Sequence, residues 1–445
     1  MEQLEVGYGR VNITPDYPVA IAGSAATKVS EGCLDPIYIT CVAFRQGEET
    51  VLMATMDLVG AYEEYARPAR AAISEATGIS EDRVILNATH THSSVNIRNS
   101  SAVGAEQYRT EFYQWAVAAA KCALEDLSPA NVWYGKTDTK GMIWVRHYKM
   151  ADGTFAGANY GSFKKSTIVG HAKEADPEMQ LIKFVRSDIH KKDIVLMNYP
   201  SHATMQKTLY VSADFPGPAR KYVEDKTGAL VAYFIANGGD QVPSSRVPEE
   251  AFSSDYRVYG EEVGRIAVEC INTMTKMDNT ELRFCQRTYK GKSNKADMDR
   301  VDEALAVEAI WKQVGGRGTP EGKAAAKERG FHSVYEVTAI LNRMNFPEDR
   351  TMALKTLAIG DIGILFAPYE MFGTSGMQIK KDSPYAMTFI ISCSQNHDGY
   401  LPSEYGCKIR CYEAQITKFA WGTAEILVKE YVDLLTEMKS GKAAD

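Results

Sequence analysis

Short runs of apolar and β-branched residues alternate along the chain with longer stretches whose apolar positions recur every three or four residues. That alternation predicts an α/β fold, with mixed β-sheets flanked by helices. The short runs place strands at 6–13, 39–44, 50–56, 83–88, 179–184, 194–199, 230–235, 282–289, 353–359, 362–367 and 386–392. Gly360 and Asp361 sit between two of them and predict a tight turn. Helical spacing predicts helices over 63–76, 106–127, 255–274, 300–314 and 411–438. Residues 315–330 mix glycines with a Lys/Ala/Glu run and read as a loop or helical insertion. Between 144 and 178 no period holds, and so long an aperiodic stretch predicts a lid or pocket wall.

Composition changes this picture little. With 445 residues, 45% of them hydrophobic and 24% charged, the chain can bury an ample core. No internal repeat and no Pro/Ser/Gly-rich hinge divides it, so 1–445 reads as a single catalytic domain with a possible insertion at 290–350. A net charge of −7 without a dense Lys/Arg stripe excludes nucleic acid as the expected partner. The start, MEQLEVGYGR, lacks a basic segment followed by an apolar one, and no apolar run approaches the roughly 18 residues that span a bilayer. A cytoplasmic protein without a membrane partner is expected. The cysteines at 33, 41, 122, 270, 285, 393, 407 and 411 read as reduced core thiols. Cys407 and Cys411 are four apart and could share a helix face, but two thiols do not close a zinc site.

The chemistry concentrates just after strands. In Asn87-Ala88-Thr89-His90-Thr91-His92-Ser93-Ser94, residues two apart in extended chain point to one side, so His90 and His92 can face one cavity. His202 follows another apolar strand, which Pro200 ends. Glu370, in Pro368-Tyr369-Glu370, and Tyr400, after Gly399, also follow strands, and α/β sites gather at strand carboxyl ends. Taken singly, each histidine fits a core or surface position as well as a metal site. Asp57 ends a strand and fits either a turn or the orientation of a ligand histidine; Asp240 is a weaker candidate.

The order of these motifs resembles that of the neutral, or non-lysosomal, ceramidase family. The resemblance rests on the N-terminal strand, Asp57-Leu58, Thr-His-Thr-His-Ser at 89–93, Asp-Pro-Glu-Met at 176–179, His202, Asn-Gly-Gly-Asp at 237–240, Pro-Tyr-Glu at 368–370 and the tyrosine-rich tail at 400–412. It spans 4–425 and is weakest between 290 and 350. It implies one zinc ion held by His90, His202, Glu370 and Tyr400. The family's second functional tyrosine lies twelve residues beyond the ligand tyrosine in a Tyr-Glu pair, and here that position is Tyr412, followed by Glu413. Such a donor set suits zinc with an open position for a water whose pKa the metal brings to ~7. The hydroxide would attack a carbonyl carbon, His92 would hydrogen-bond this water or the leaving group, and Tyr412 would donate to the oxyanion. Arg146 resembles the family's pocket arginine and would hold a polar or anionic part of the substrate; a surface arginine is the alternative.

The chain departs from the family at one turn. Ceramidases carry a serine in Gly-Asp/Asn-x-Ser-Pro, whereas Gly239-Asp240-Gln241-Val242-Pro243 places Val242 there, so that serine chemistry is lost. Ser244 and Ser245 lie two and three residues on, too far along a tight turn to replace it. The signal peptide and C-terminal β-sandwich of secreted ceramidases are also expected to be missing. Arg146, His147, Tyr148 and the loop behind them are expected to offer hydrogen bonds to a soluble ligand. The expectation is a zinc-dependent hydrolase that cleaves an amide (N-acyl) bond of a small polar cytosolic substrate rather than ceramide. An esterase or lactonase of the same fold, and a non-catalytic metal- or ligand-binding homologue, are the alternatives.

Overall fold

A computed structural model describes residues 2–23, 28–161, 167–243, 247 and 252–442. The N-terminal apolar runs form the antiparallel strands Glu5–Asn12, Tyr38–Gln46 and Glu49–Met56, and Val84–Ala88 adds in parallel beyond them. On the other side of Glu5–Asn12 lie Ser128–Asp138, Glu178–Arg186, Ile194–Tyr199 and, parallel to the last, Leu230–Ile235. Thr275–Met277 pairs with Ser128–Asp138 and completes a sheet of nine strands. A second sheet of four strands runs Leu282–Lys292, Asp349–Ile359, Ile362–Phe366 and Met387–Ile391, its last pair parallel.

The two sheets pack face to face. Val42, Phe44, Met53, Ile85, Phe184, Leu196 and Phe234 from the large sheet share one buried cluster with Leu357, Ile359, Ile364, Phe366, Phe389 and Ile391 from the small one. Strands this deeply buried read as continuous apolar runs, which is why the sequence pattern finds them. Helices Glu63–Thr77 and Ala105–Glu125 cover one half of the large sheet's outer face, and Pro216–Thr227 and Tyr256–Ile271 cover the other. Gly373–Asp382 and Thr423–Ser440 back the small sheet. The result is an α/β fold of four layers, helix, sheet, sheet, helix.

Several expectations need correction. The strand Ser128–Asp138 was not expected, because fewer than half of its positions are apolar and Pro129 and Gly135 interrupt them. The helix expected over 411–438 is two helices, Tyr412–Ile416 and Thr423–Ser440, separated where Gly422 takes φ 90°. Cys407 therefore lies in Glu404–Lys408 and Cys411 caps the next helix, so they share no helix face. All eight thiols are free, and Cys33 and Cys122 are exposed rather than in the core. Three helices, Val301–Gln313, Pro320–Glu328 and Val334–Arg343, stand between the paired strands Leu282–Lys292 and Asp349–Ile359 around a small core of their own that includes Trp311, Phe331 and Ile340. Among the described residues of 144–178 there is regular pairing that the aperiodic sequence did not predict: Trp144–Val145 pairs with Gln241–Val242, and His147–Met150, Phe155–Gly157 and Ile168–His171 form a small sheet. Ser244 and Ser245 lie outside the described residues.

Candidate metal centre

Four chain segments leave the carboxyl ends of parallel strand pairs and converge. His90 follows Val84–Ala88, His202 follows Ile194–Tyr199, and Glu370 follows Ile362–Phe366. Tyr400 lies beyond Met387–Ile391, in a short parallel ribbon that pairs it directly with Glu370. His90 takes φ 66°, a left-handed conformation that costs a non-glycine residue energy and turns the chain into the site.

Glu370 is the hub. Its Oε2 lies 3.3 Å from His90 Nε2 and 3.2 Å from His202 Nε2. Its Oε1 lies 3.2 Å from His397 Nε2. The outward nitrogens of the first two rings are committed to backbone carbonyls: His90 Nδ1 to Val59 O at 2.5 Å, and His202 Nδ1 to Gly238 O at 2.6 Å. Those contacts place the proton on Nδ1 and leave both Nε2 lone pairs facing Glu370 Oε2. That oxygen is fully buried yet accepts no hydrogen bond. Three lone-pair donors converge there, met only by Arg146 Nη1 on the His202 side, and a cation satisfies such an arrangement.

Electrostatics agree. Burial raises the Glu370 carboxyl, but His90 and the other histidine rings close around it outweigh burial and hold it well below the usual range. Burial, then Arg146 and His90, pull His202 down to about 4, so it is neutral at pH 7. Burial also opposes a charge on His90, yet Cys393 and Glu370 hold it well above its ordinary value. His92 Nε2 lies 3.2 Å from His90 Nε2, and its Nδ1 contacts Gly23 O at 3.3 Å. Donor atoms of His90, His92 and His202 all lie within 4.8 Å of one another. Burial, reinforced by His90 and His202, pushes His92 well below its usual value. Tyr400 stacks along His202 with ring centroids 6.4 Å apart, and burial raises its phenol well above the ordinary value.

The turn after Leu230–Ile235 positions His202. Gln241 O accepts the His202 amide at 3.0 Å, and Gly239 packs so close that a Cβ there would meet Glu370 O at 2.6 Å. Val242 is half-buried in the ribbon opposite Trp144, an aliphatic side chain with no hydroxyl to offer. Asp57 does not touch a ligand ring. It forms a bidentate pair with Arg220, both contacts 2.7 Å, and accepts from Thr89 Oγ1 at 3.1 Å, so it fixes the residue before His90. Asp240, whose carboxyl burial raises, accepts from the Gly373 amide at 2.8 Å and from Tyr405 at 2.5 Å.

Arg146 is not a surface residue. Its Nε lies 2.6 Å from Glu413 Oε1, Nη2 donates to Gly239 O at 3.1 Å, and Nη1 lies 3.3 Å from His202 Nε2. Burial raises the Glu413 carboxyl, but Arg146 and His147 dominate and hold it well below the usual range. His147 is turned inward: its nitrogens contact Tyr405 at 3.0 Å and Glu413 at 2.8 Å, both it and Tyr148 are buried, and with Cys411 and Glu413 it forms a second cluster of possible metal donors.

A cleft of about 430 Å³ opens above these groups, lined by His90, His92, Glu370, Tyr400 and Tyr412. Among the described residues, none from 144–175 lines it; its far wall comes from Arg317, Tyr335 and Asn342 of the three-helix segment. Sequence reasoning missed His397, which braces Glu370 and stacks on Tyr62 at 4.8 Å. Its only signal was His-Asp-Gly just before Tyr400. Cys393, 3.5 Å from His90 Nδ1, had no signal.

No family model matches the chain, and no curated protein sequence does. Solved structures share its fold. A neutral ceramidase from Pseudomonas aeruginosa superposes with a TM-score of 0.75 at 15% identity, over 100% of this chain and 76% of that one. A ceramidase complexed with C2 gives 0.74 at 14%, with the same coverage. The chain has a neutral-ceramidase-like α/β fold, with a group of potential metal ligands at its strand ends.

Proposed function

We propose that the chain is a zinc-dependent hydrolase that cleaves an amide bond of a small polar substrate. The observation that carries this reading is Glu370 Oε2, buried without a hydrogen bond between two inward-facing imidazole nitrogens. His90, His202 and Glu370 would hold the ion, with Tyr400 from the adjoining ribbon as fourth ligand. When bound, zinc supplies Lewis acidity to water and to the substrate carbonyl.

The chain's own residues do the rest. His92 is partly open to the cleft and is kept neutral by burial and by its neighbours, so Nε2 accepts the proton of the attacking water and returns it to the leaving nitrogen. Tyr412 lines the cleft with its phenol held protonated by burial, and donates to the negative charge developing on the carbonyl oxygen. Arg146, neutralised by Glu413, braces His202 and lies 5.4 Å from the Tyr400 ring. Val242 removes serine from this scheme.

The amide preference follows the two fold neighbours, which are ceramidases by name. The polar wall built by Arg317 and Asn342 favours a smaller and more polar substrate than ceramide. No described helix is long and apolar enough to cross a membrane, and eight free thiols suit the reducing cytoplasm, which is the proposed location. The test is an assay of short N-acyl amino sugars, N-acyl amino acids, lactones and detergent-dispersed ceramide, with chelator and with added zinc. Amide hydrolysis that chelation abolishes and zinc restores is the expected result. Turnover indifferent to chelation, or ceramide as best substrate, overturns the reading.

A further inference from the structure

The cleft carries three cations that the metal centre does not use: Arg98, Lys418 and Arg317. Two already have anionic partners. Arg98 Nε lies 3.0 Å from Glu64 Oε1, and Lys418 is paired with Asp398, which Arg350 also engages. Arg317 differs. Its Nη1 donates to Thr338 Oγ1 at 3.0 Å and its guanidinium lies 5.7 Å from the Tyr335 ring centroid, but it forms no ion pair among the described residues. Four of its five N–H donors have no protein acceptor there.

Two features aim this cation at a ligand. An aromatic ladder joins it to the metal centre: Tyr335 packs on Tyr412 at 5.4 Å, and Tyr412 on Tyr400 at 6.0 Å. A substrate whose acyl carbon lies at Tyr400 therefore reaches Arg317 along three ring-sized steps. The same Arg317 and Tyr335 border a neighbouring cavity of about 900 Å³, whose charged lining residues among those described, Arg317, Lys323 and Lys327, are all cationic. Clefts lined by one sign of charge concentrate the opposite charge.

We propose that Arg317 recognises a carboxylate at the end of the substrate remote from the scissile bond, which makes the substrate class N-acyl compounds that end in a carboxylate several bonds beyond the amide, such as N-acylated short peptides. The proposal rests on the hydrolase reading given above. The planar guanidinium matches a carboxylate with two parallel hydrogen bonds, which neither a hydroxyl nor a primary amide can reproduce.

The experiment compares N-acetyl tripeptides that end in a free carboxylate with their C-terminal primary amides on the zinc-loaded full chain, by calorimetric binding and by hydrolysis. The wild type is expected to bind and cleave each acid roughly tenfold or more better than its amide. Arg317→Ala should bring that ratio close to one, and Arg317→Lys should keep part of it, because a point charge replaces a fork. Equal treatment of acid and amide by the wild type, or a preference that survives Arg317→Ala, overturns the proposal. The two readings fail separately. Acids bound through Arg317 but never cleaved would sink the hydrolase and leave recognition standing; acid and amide cleaved alike would do the reverse.

Discussion

Glu370 makes contacts with three histidines, and each predicts a different consequence of losing the ring. His90 and His202 present lone pairs to Oε2, so His90→Ala removes a ligand and should lower bound zinc together with activity, read by elemental analysis. Full zinc content in that variant would refute the ligand assignment. His397 reaches only Oε1, and its role is to hold the carboxylate still. Loss of such a supporting contact commonly costs 10–100-fold in metal affinity, so His397→Ala should weaken zinc binding by about that factor in competition with a chromogenic chelator. An unchanged affinity would show that packing alone fixes Glu370. His92 separates two roles. As a proton carrier, its removal should leave zinc in place and slow turnover by roughly 10²–10⁴. Loss of the metal in His92→Ala would instead make it a ligand, which its place in the three-histidine group allows. At this scale His90, His202, Glu370 and Tyr400 were legible because each sits in a local motif after a strand. His397 was not, since its partner is 27 residues away and its burial is a property of the fold.

Elements were legible where burial makes a strand uniformly apolar or a helix face regular. The strands at Glu49–Met56, Ile194–Tyr199 and Ile362–Phe366 are continuous buried runs and match expectation within a residue or so. The helix Pro216–Thr227 escaped notice because its first turn, Pro-Gly-Pro, looks like a loop, although proline is well tolerated at a helix start. That helix carries Arg220 under the end of Glu49–Met56, where it meets Asp57 in a fully buried ion pair. Breaking such a pair from one side leaves a buried charge uncompensated, at a typical cost of about 3–5 kcal/mol. Asp57→Ala should therefore destabilise the chain by about that amount in urea unfolding, and Asp57→Ala/Arg220→Met should recover much of it. A single variant as stable as the wild type would mean that the pair does not join helix to sheet. The Tyr38 amide and Thr89 hydroxyl also end on Asp57, so zinc affinity should fall with it through the loosened His90 turn.

For the whole molecule, the two sheets and the three-helix segment divide the work: the sheets bring the candidate metal ligands together and the helices shape the space above them. The pocket wall expected at 144–178 does not line this cleft among the described residues, although Asn159 and Gly161 border the neighbouring cavity. That stretch is instead tied into the ribbon with Gln241–Val242 and into the buried His147–Glu413 pair. The wall comes from a segment that is distant in sequence and whose amphipathic helices serve a small core of their own. The segment leaves and rejoins the small sheet at neighbouring positions, because Lys292 and Asp349 are register partners on antiparallel strands. A two-residue Asn-Gly turn can join such a pair directly. Replacing 293–348 with that turn should leave the sheets, His90, His202 and Glu370 intact, so the variant should fold and bind zinc at the wild-type ratio. It should lose selectivity, since Arg317 and Tyr335 are removed. Turnover should fall as well, because Arg343 donates to Gln415 O, and the Asn294 side chain to Thr417 O at 2.9 Å, on the segment that carries Tyr412. Elemental analysis and circular dichroism test the first part, and acid-versus-amide kinetics the second. A folded variant without zinc would make the helices part of the metal centre, and a variant with wild-type selectivity would place recognition elsewhere.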